Sequence, residues 1–116
     1  MMRRGEIRLV DFNPALGSEA SKIRPAVVVS NDNSNRAVKR VGRGVVTVVP
    51  LTSNVSRIYP YQVLVTASET GLRFDSKAQA ELVRSVATER VGRQVGTVPS
   101  ALMLSLDEAL RVHLAL

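Results

Sequence analysis

Cysteine is absent from the 116 residues, so neither a disulfide framework nor a thiolate metal site is open to the chain. That composition suits a reducing compartment. Tryptophan is absent as well, and tyrosine and phenylalanine contribute two residues each, too few rings for stacking to dominate any binding event. A single histidine, His113, stands near the end. A Ser-His-Asp triad needs that imidazole in a cleft and a histidine-pair ribonuclease needs a second one, so neither mechanism fits. A zinc site lacks ligands, and the acids are scattered with no tight cluster to hold catalytic magnesium. Neither G-x-x-x-x-G-K-[ST] nor G-x-G-x-x-G occurs, which removes the nucleotide-cofactor enzymes. No cofactor is expected. No apolar run approaches the roughly 18 residues of a membrane span, and the basic opening Met1-Met2-Arg3-Arg4 has no apolar segment behind it. The expected setting is the cytoplasm.

Acid is also missing locally. Between Asp32 and Glu69 there is no carboxylate, while Arg36, Lys39, Arg40, Arg43 and Arg57 all fall there. The whole chain carries sixteen Lys and Arg against ten Asp and Glu, a formal charge of +6. For any one of these residues a solvated basic surface is explanation enough; for the stretch as a whole, a phosphate-facing surface and a nucleic-acid partner are the better reading.

What is present is a compact set of strand signals. A hydrophobic content of 45% supports a folded core, and with no repeat, linker or low-complexity tract, residues 1–116 read as one domain. Gly5 to Phe12 predicts a first strand ended by Asn13-Pro14, and Ala15 to Ile23 a polar loop. Pro25 to Val29 predicts a second strand, with Pro25 placed first because that position needs no N–H. Asn31 to Lys39 suits a turn or two of helix. The β-branched run Val45 to Val49 predicts a central strand buried on both faces and ended by Pro50. A loop from Thr52 to Pro60, a strand from Tyr61 to Ala67, one or two strands within Arg73 to Val91 and a short extended Val95 to Val98 follow. Leu102, Leu106, Leu110 and Leu114 recur every four residues, the spacing of an amphipathic helix opened by Pro99-Ser100. Short strands without intervening long helices predict a mainly β (α+β) fold: a small barrel of antiparallel strands with a C-terminal helix.

Several stretches, in order and spacing, resemble the MazF/PemK toxin family. They are Arg4-Gly5-Glu6-Ile7, Val10-Asp11-Phe12-Asn13-Pro14, Gly17-Ser18-Glu19, Arg24-Pro25 through Asn31, Val48-Val49-Pro50-Leu51-Thr52-Ser53, Asp75, Lys77-Ala78-Gln79-Ala80, Val83 to Val86, and Arg90-Val91. Together they span nearly the whole chain. Arg8 departs from the pattern, where the family often has tryptophan. The resemblance implies an SH3-like barrel, a homodimer with RNA in a groove across the two subunits, and metal-independent, sequence-specific cleavage of single-stranded RNA by a neighbouring 2′-hydroxyl. It also implies a MazE-like antitoxin whose acidic segment fills the groove, and growth inhibition when the toxin is free.

Such a reaction needs a base for the 2′-hydroxyl proton, stabilisation of charge on the phosphoryl oxygens, and a proton for the leaving 5′-oxygen. Given the resemblance, Arg24 suits the second task through its two-pronged guanidinium, held on extended backbone by Pro25; the alternative is a surface ion pair. Thr52, at the exit of the central strand, offers a hydroxyl to the phosphate, and Ser53 offers the same or bonds its own turn. Arg73 and Asp75, two apart, share a face if extended, as an ion pair or a phosphate-holding and basic pair. Glu19 is the other candidate base. Arg57, Tyr59, Arg36 and Arg43 are candidate RNA contacts from the loops, with Lys77 and Gln79 added by the resemblance. Two other classes stay open: a gyrase-directed toxin of the CcdB type, disfavoured by the missing tryptophan, and a basic module that grips RNA without cutting it.

Overall fold

The computed structural model describes residues 2–13, 17 and 22–116. Seven strands form one antiparallel sheet: β1 (Glu6–Asp11), β2 (Ile23–Val28), β3 (Val45–Thr52), β4 (Gln62–Val65), β5 (Ser76–Gln79), β6 (Arg84–Ala87) and β7 (Val91–Thr97). Helices α1 (Asp32–Val41), α2 (Ala67–Thr70) and α3 (Ser100–Leu114) complete it. The strand order is β4-β5-β3-β2-β1-β7, with β6 also on β3. The long central strand is shared: Val45 to Val48 pair with β6, and Leu51 and Thr52 pair with β5.

The central strand is buried on both faces from Val48 to Leu51, but the first residue of the β-branched run, Val45, is 58% exposed and Thr47 half-buried, because β3 begins at the sheet's rim. Alternate residues go to two cores. Val27, Val49 and Leu51 pack with Val63, Val65 and the α3 residues Met103 and Leu106, while Ala26, Val28, Val46 and Val48 pack with Val10 and Phe12. The four-residue leucine spacing buries Leu106, half-buries Leu102 and Leu110, and leaves Leu114 exposed. On α1, Asn31 caps the N-terminus by accepting from the Ser34 N–H at 2.8 Å, and Gly42 ends the helix in the left-handed conformation at φ 86°.

Strand limits differ from the sequence reading where proline was taken as punctuation. β3 runs through Pro50 to Thr52, because Pro50 sits where β3 has left β6 and not yet met β5, so no ladder bond needs its N–H. β2 begins at Ile23 rather than Pro25, since its ladder with β1 reaches Asp11 opposite Ile23, and Pro25 is tolerated inside it because β3 pairs only from Ala26. The fourth strand stops at Val65, and Thr66 caps the short α2 by accepting from the Glu69 N–H. The last strand is longer than Val95 to Val98, beginning at Val91. Among the described residues no helix is long and apolar enough to cross a membrane.

Candidate active site

The site grows from a ladder that stops. Phe12 N–H bonds the Lys22 carbonyl at 3.0 Å, and counting back along the β1–β2 register makes Leu9–Pro25 a pair without mutual bonds. The nitrogen of Pro25 therefore faces β3, where a ladder donor is missing. Pairing of β2 with β3 ends at Ala26 opposite Pro50. Continued two residues, that register sets Arg24 across from Thr52 on one face, on strands no longer bonded together.

A cleft of about 690 Å³ opens there, and Arg24, Thr52, Ser53 and Arg73 all line it. Arg93 from β7 and Ser76 from β5 line it too, and among the described residues no carboxylate does. Among the described residues, none of the three arginines pairs with an acid; the ion pairs are Arg4–Asp107, Arg8–Glu6 and Arg111–Glu108. Arg73 lies over the Phe74 ring, 5.6 Å from its centroid, and that ring is 63% exposed at the rim. The Thr52 oxygen accepts from the Asn54 N–H at 3.3 Å, which leaves its own proton to donate elsewhere. Dense, uncompensated guanidinium charge beside free hydroxyls is an arrangement for a phosphodiester anion.

The other residues singled out from the sequence sit apart from this cluster. Arg73 and Asp75 occupy a bend, not a strand, so they do not form the same-face pair that extended backbone predicts. Asp75 instead accepts from the Ala67 N–H at 2.8 Å, at the start of α2. Lys77 is buried, and its ammonium donates to the Arg57 carbonyl at 2.7 Å. Gln79 is half-buried and pairs with Gln62 across β4 and β5. Arg57 and Tyr59 form an exposed cluster: the guanidinium lies 5.1 Å from the Tyr59 centroid, and Tyr59 stacks on Tyr61 at 5.4 Å. Arg36 bonds Asn33 within α1, and Arg43 precedes β3. Val45 and Thr52 are the two ends of β3, about 23 Å apart along the strand, so Arg43 is at the far end from the cleft. Glu19 lies outside the described residues.

Arg93 was not singled out from the sequence. It stands in a polar run, Gly92-Arg93-Gln94, but only strand pairing shows which way it points. Among the described residues no group of three or more His, Asp and Glu side chains comes together.

Known proteins fit this geometry. A profile of the PemK-like, MazF-like toxins of type II toxin–antitoxin systems matches residues 3–114. The endoribonuclease MazF9 of Mycobacterium tuberculosis is 60% identical over 116 residues, covering 100% of this chain and 98% of its own. The endoribonuclease EndoA of Bacillus subtilis is 28% identical over 117 residues, covering 100% of this chain and 97% of its own. In fold, MazF from Deinococcus radiodurans superposes with a TM-score of 0.82 at 24% identity, over 99% of this chain and 97% of that one. A mycobacterial endoribonuclease solved with its cognate antitoxin gives 0.79 at 23% identity, over 100% and 97%. Sequence match over nearly its full length, with a shared fold, places this chain in the PemK-like, MazF-like toxin family of type II toxin–antitoxin systems.

Proposed function

We propose that this endoribonuclease toxin, acting as one domain over residues 1–116, cuts single-stranded RNA in the Arg24–Thr52 cleft without a metal. The observation that carries the reading is the group of three arginines and free hydroxyls where β2 and β3 part, with no acid among the described residues lining it. Arg24 holds the scissile phosphate and stabilises the charge that builds on its oxygens as the neighbouring 2′-hydroxyl attacks. The Thr52 hydroxyl donates to the same group, with Ser53 beside it. Arg73 grips the strand at the rim, over Phe74. The base is a carboxylate delivered to the cleft's edge: Glu19 from the loop before β2, or Asp75 two residues beyond Arg73. Comparing Glu19→Gln with Asp75→Asn assigns it, because the correct substitution removes the acid limb of the pH–rate profile. Tyr59, Arg57, Arg36 and Arg43 are contacts for RNA running past the cleft, and Lys77 and Gln79 support that loop and sheet edge from within.

Related structures carry an antitoxin, among them the mycobacterial complex and a MazE–MazF complex of Deinococcus radiodurans. An acidic antitoxin segment laid on the same arginines would silence this chain in the cytoplasm, and a homodimer would join two clefts into one groove. Purified protein incubated with a long unstructured RNA in EDTA tests the reading. Discrete cuts with 5′-hydroxyl ends, lost in Arg24→Ala, support it. Intact RNA from folded, antitoxin-free protein overturns it.

A further inference from the structure

The edge strand β7 does not pleat regularly against β1. Ile7 pairs with Gly96, Arg8 with Gln94 and Val10 with Val91, so the register shifts twice within four residues of β1. Each shift inserts an extra residue on β7, and one of them sets Gly92 and Arg93 opposite Leu9. A regular strand sends successive side chains to opposite faces. Here three successive residues, Arg93, Gln94 and Val95, line the cleft together with Leu9. The bulges bring Arg93 to line the same cleft as Arg24.

Arg8 holds that distortion in place. Its Nε donates to Glu6 at 2.9 Å and its Nη1 to the Gly92 carbonyl at 3.1 Å, so one guanidinium ties β1 to the bulge. A tryptophan at this position has one N–H and could not make both bonds.

We propose that Arg93 is a substrate-positioning residue that grips the phosphate next to the scissile one, and that Arg8 acts through the bulge to aim it. The inference rests on the ribonuclease reading above. β2 and β7 flank β1, so Arg24 and Arg93 are rooted about two strand spacings, roughly 9–10 Å, apart across the sheet. Two side chains so rooted and turned into one cleft address consecutive phosphates of an extended strand. Arg93 is exposed and makes no ion pair among the described residues, so its charge is available to the RNA.

The test is steady-state cleavage by wild type, Arg93→Ala, Arg93→Lys and Arg8→Met, on an oligonucleotide with a mapped cut site. In Arg93→Ala, kcat/KM falls about tenfold, carried by KM, and the slope of log(kcat/KM) on log[salt] is shallower by about 0.7, one single-strand phosphate contact. Arg93→Lys restores the slope, and Arg8→Met moves KM in the same direction by a smaller factor. Replacing one flanking phosphodiester by an uncharged methylphosphonate weakens wild type by a similar factor and adds little to the Arg93→Ala loss. A fall in kcat with KM unchanged overturns the proposal, as do additive losses at both flanking linkages. Should wild type itself leave the RNA whole, the ribonuclease reading fails. Binding of the same oligonucleotide, read by fluorescence anisotropy, then decides the phosphate contact by the same salt slope.

Discussion

In the proposed mechanism Arg24 is the residue on which the chemistry turns, and its environment gives the reason a lysine would not replace it. It lines the cleft with Thr52 across an opened pair of strands, and no acid among the described residues lines that cleft to share its charge. A guanidinium presents two parallel donors to two phosphoryl oxygens, whereas an ammonium presents a point charge. Arg24→Lys is therefore expected to lower kcat by about 10²–10³, close to the loss of a whole transition-state donor, while the thermal midpoint stays within a degree or two of wild type. Near-normal turnover in the lysine variant would show that charge alone suffices. Asp32 carries a different prediction. Its carboxylate accepts from the Arg4 N–H at 2.8 Å and from the Asn35 amide at 3.2 Å, and the Arg4 bond leads the causes that hold its pKa below the usual 3.8. The folded state thus favours the ionised form. Its contribution to stability is complete above the unfolded-state value and is lost as the pH falls through the lower folded-state value. Asp32→Ala should lower the urea midpoint at pH 7, and the gap to wild type should narrow as the pH drops below 3.8. A gap unchanged by pH would mean that the carboxylate's charge is not what ties Arg4 to α1.

At the scale of elements, two irregularities shape the cleft. Pro25 stops the β2–β3 ladder, and Pro25→Val would supply the N–H that faces β3. The expected result is a ladder one bond longer, a protein at least as stable in urea, and a kcat/KM about tenfold lower as Arg24 and Thr52 close on each other. Unchanged kinetics would show that the strands part for another reason. Gly96 sits at the other irregularity, where a Cβ would lie 2.7 Å from the Thr70 carbonyl and 3.4 Å from Ile7. Gly96→Ala should cost about 1–3 kcal/mol in urea unfolding, because the first of those contacts is backbone. Much of this scale was legible in the sequence: the central strand within the Val45 run, the helix opened by Pro99-Ser100, and the helical turns of Asn31 to Lys39. The errors share a cause. Pro25 and Pro50 read as strand ends because a single strand does not reveal which side of each residue its neighbours occupy. Arg73 and Asp75 read as an extended pair because nothing local signals the bend before β5. Arg93 was invisible for a like reason, since a bulge is a property of two strands and not of one.

For the whole molecule, the +6 charge and the acid-free stretch pointed to nucleic acid, and the fold qualifies where that charge acts. Arg24, Arg73 and Arg93, remote from one another in the chain, converge on one cleft, while Arg43 stands about a strand's length away. Convergence of this kind comes from topology, with β7 brought beside β1 and the bend before β5 brought beside the end of β3. Composition pointed to a polyanionic partner; the sheet order shows which arginines share the cleft where the proposed mechanism rests the reacting phosphate. The central claim is that Arg24 and Thr52 serve attack by the RNA's own 2′-hydroxyl. An oligonucleotide with a single 2′-deoxy sugar on the 5′ side of the mapped cut tests it most directly. Cleavage at that bond is expected to be abolished while binding stays near that of the all-ribose strand. Cleavage of the deoxy linkage at an appreciable rate would contradict it, because the attacking oxygen would then have to come from water.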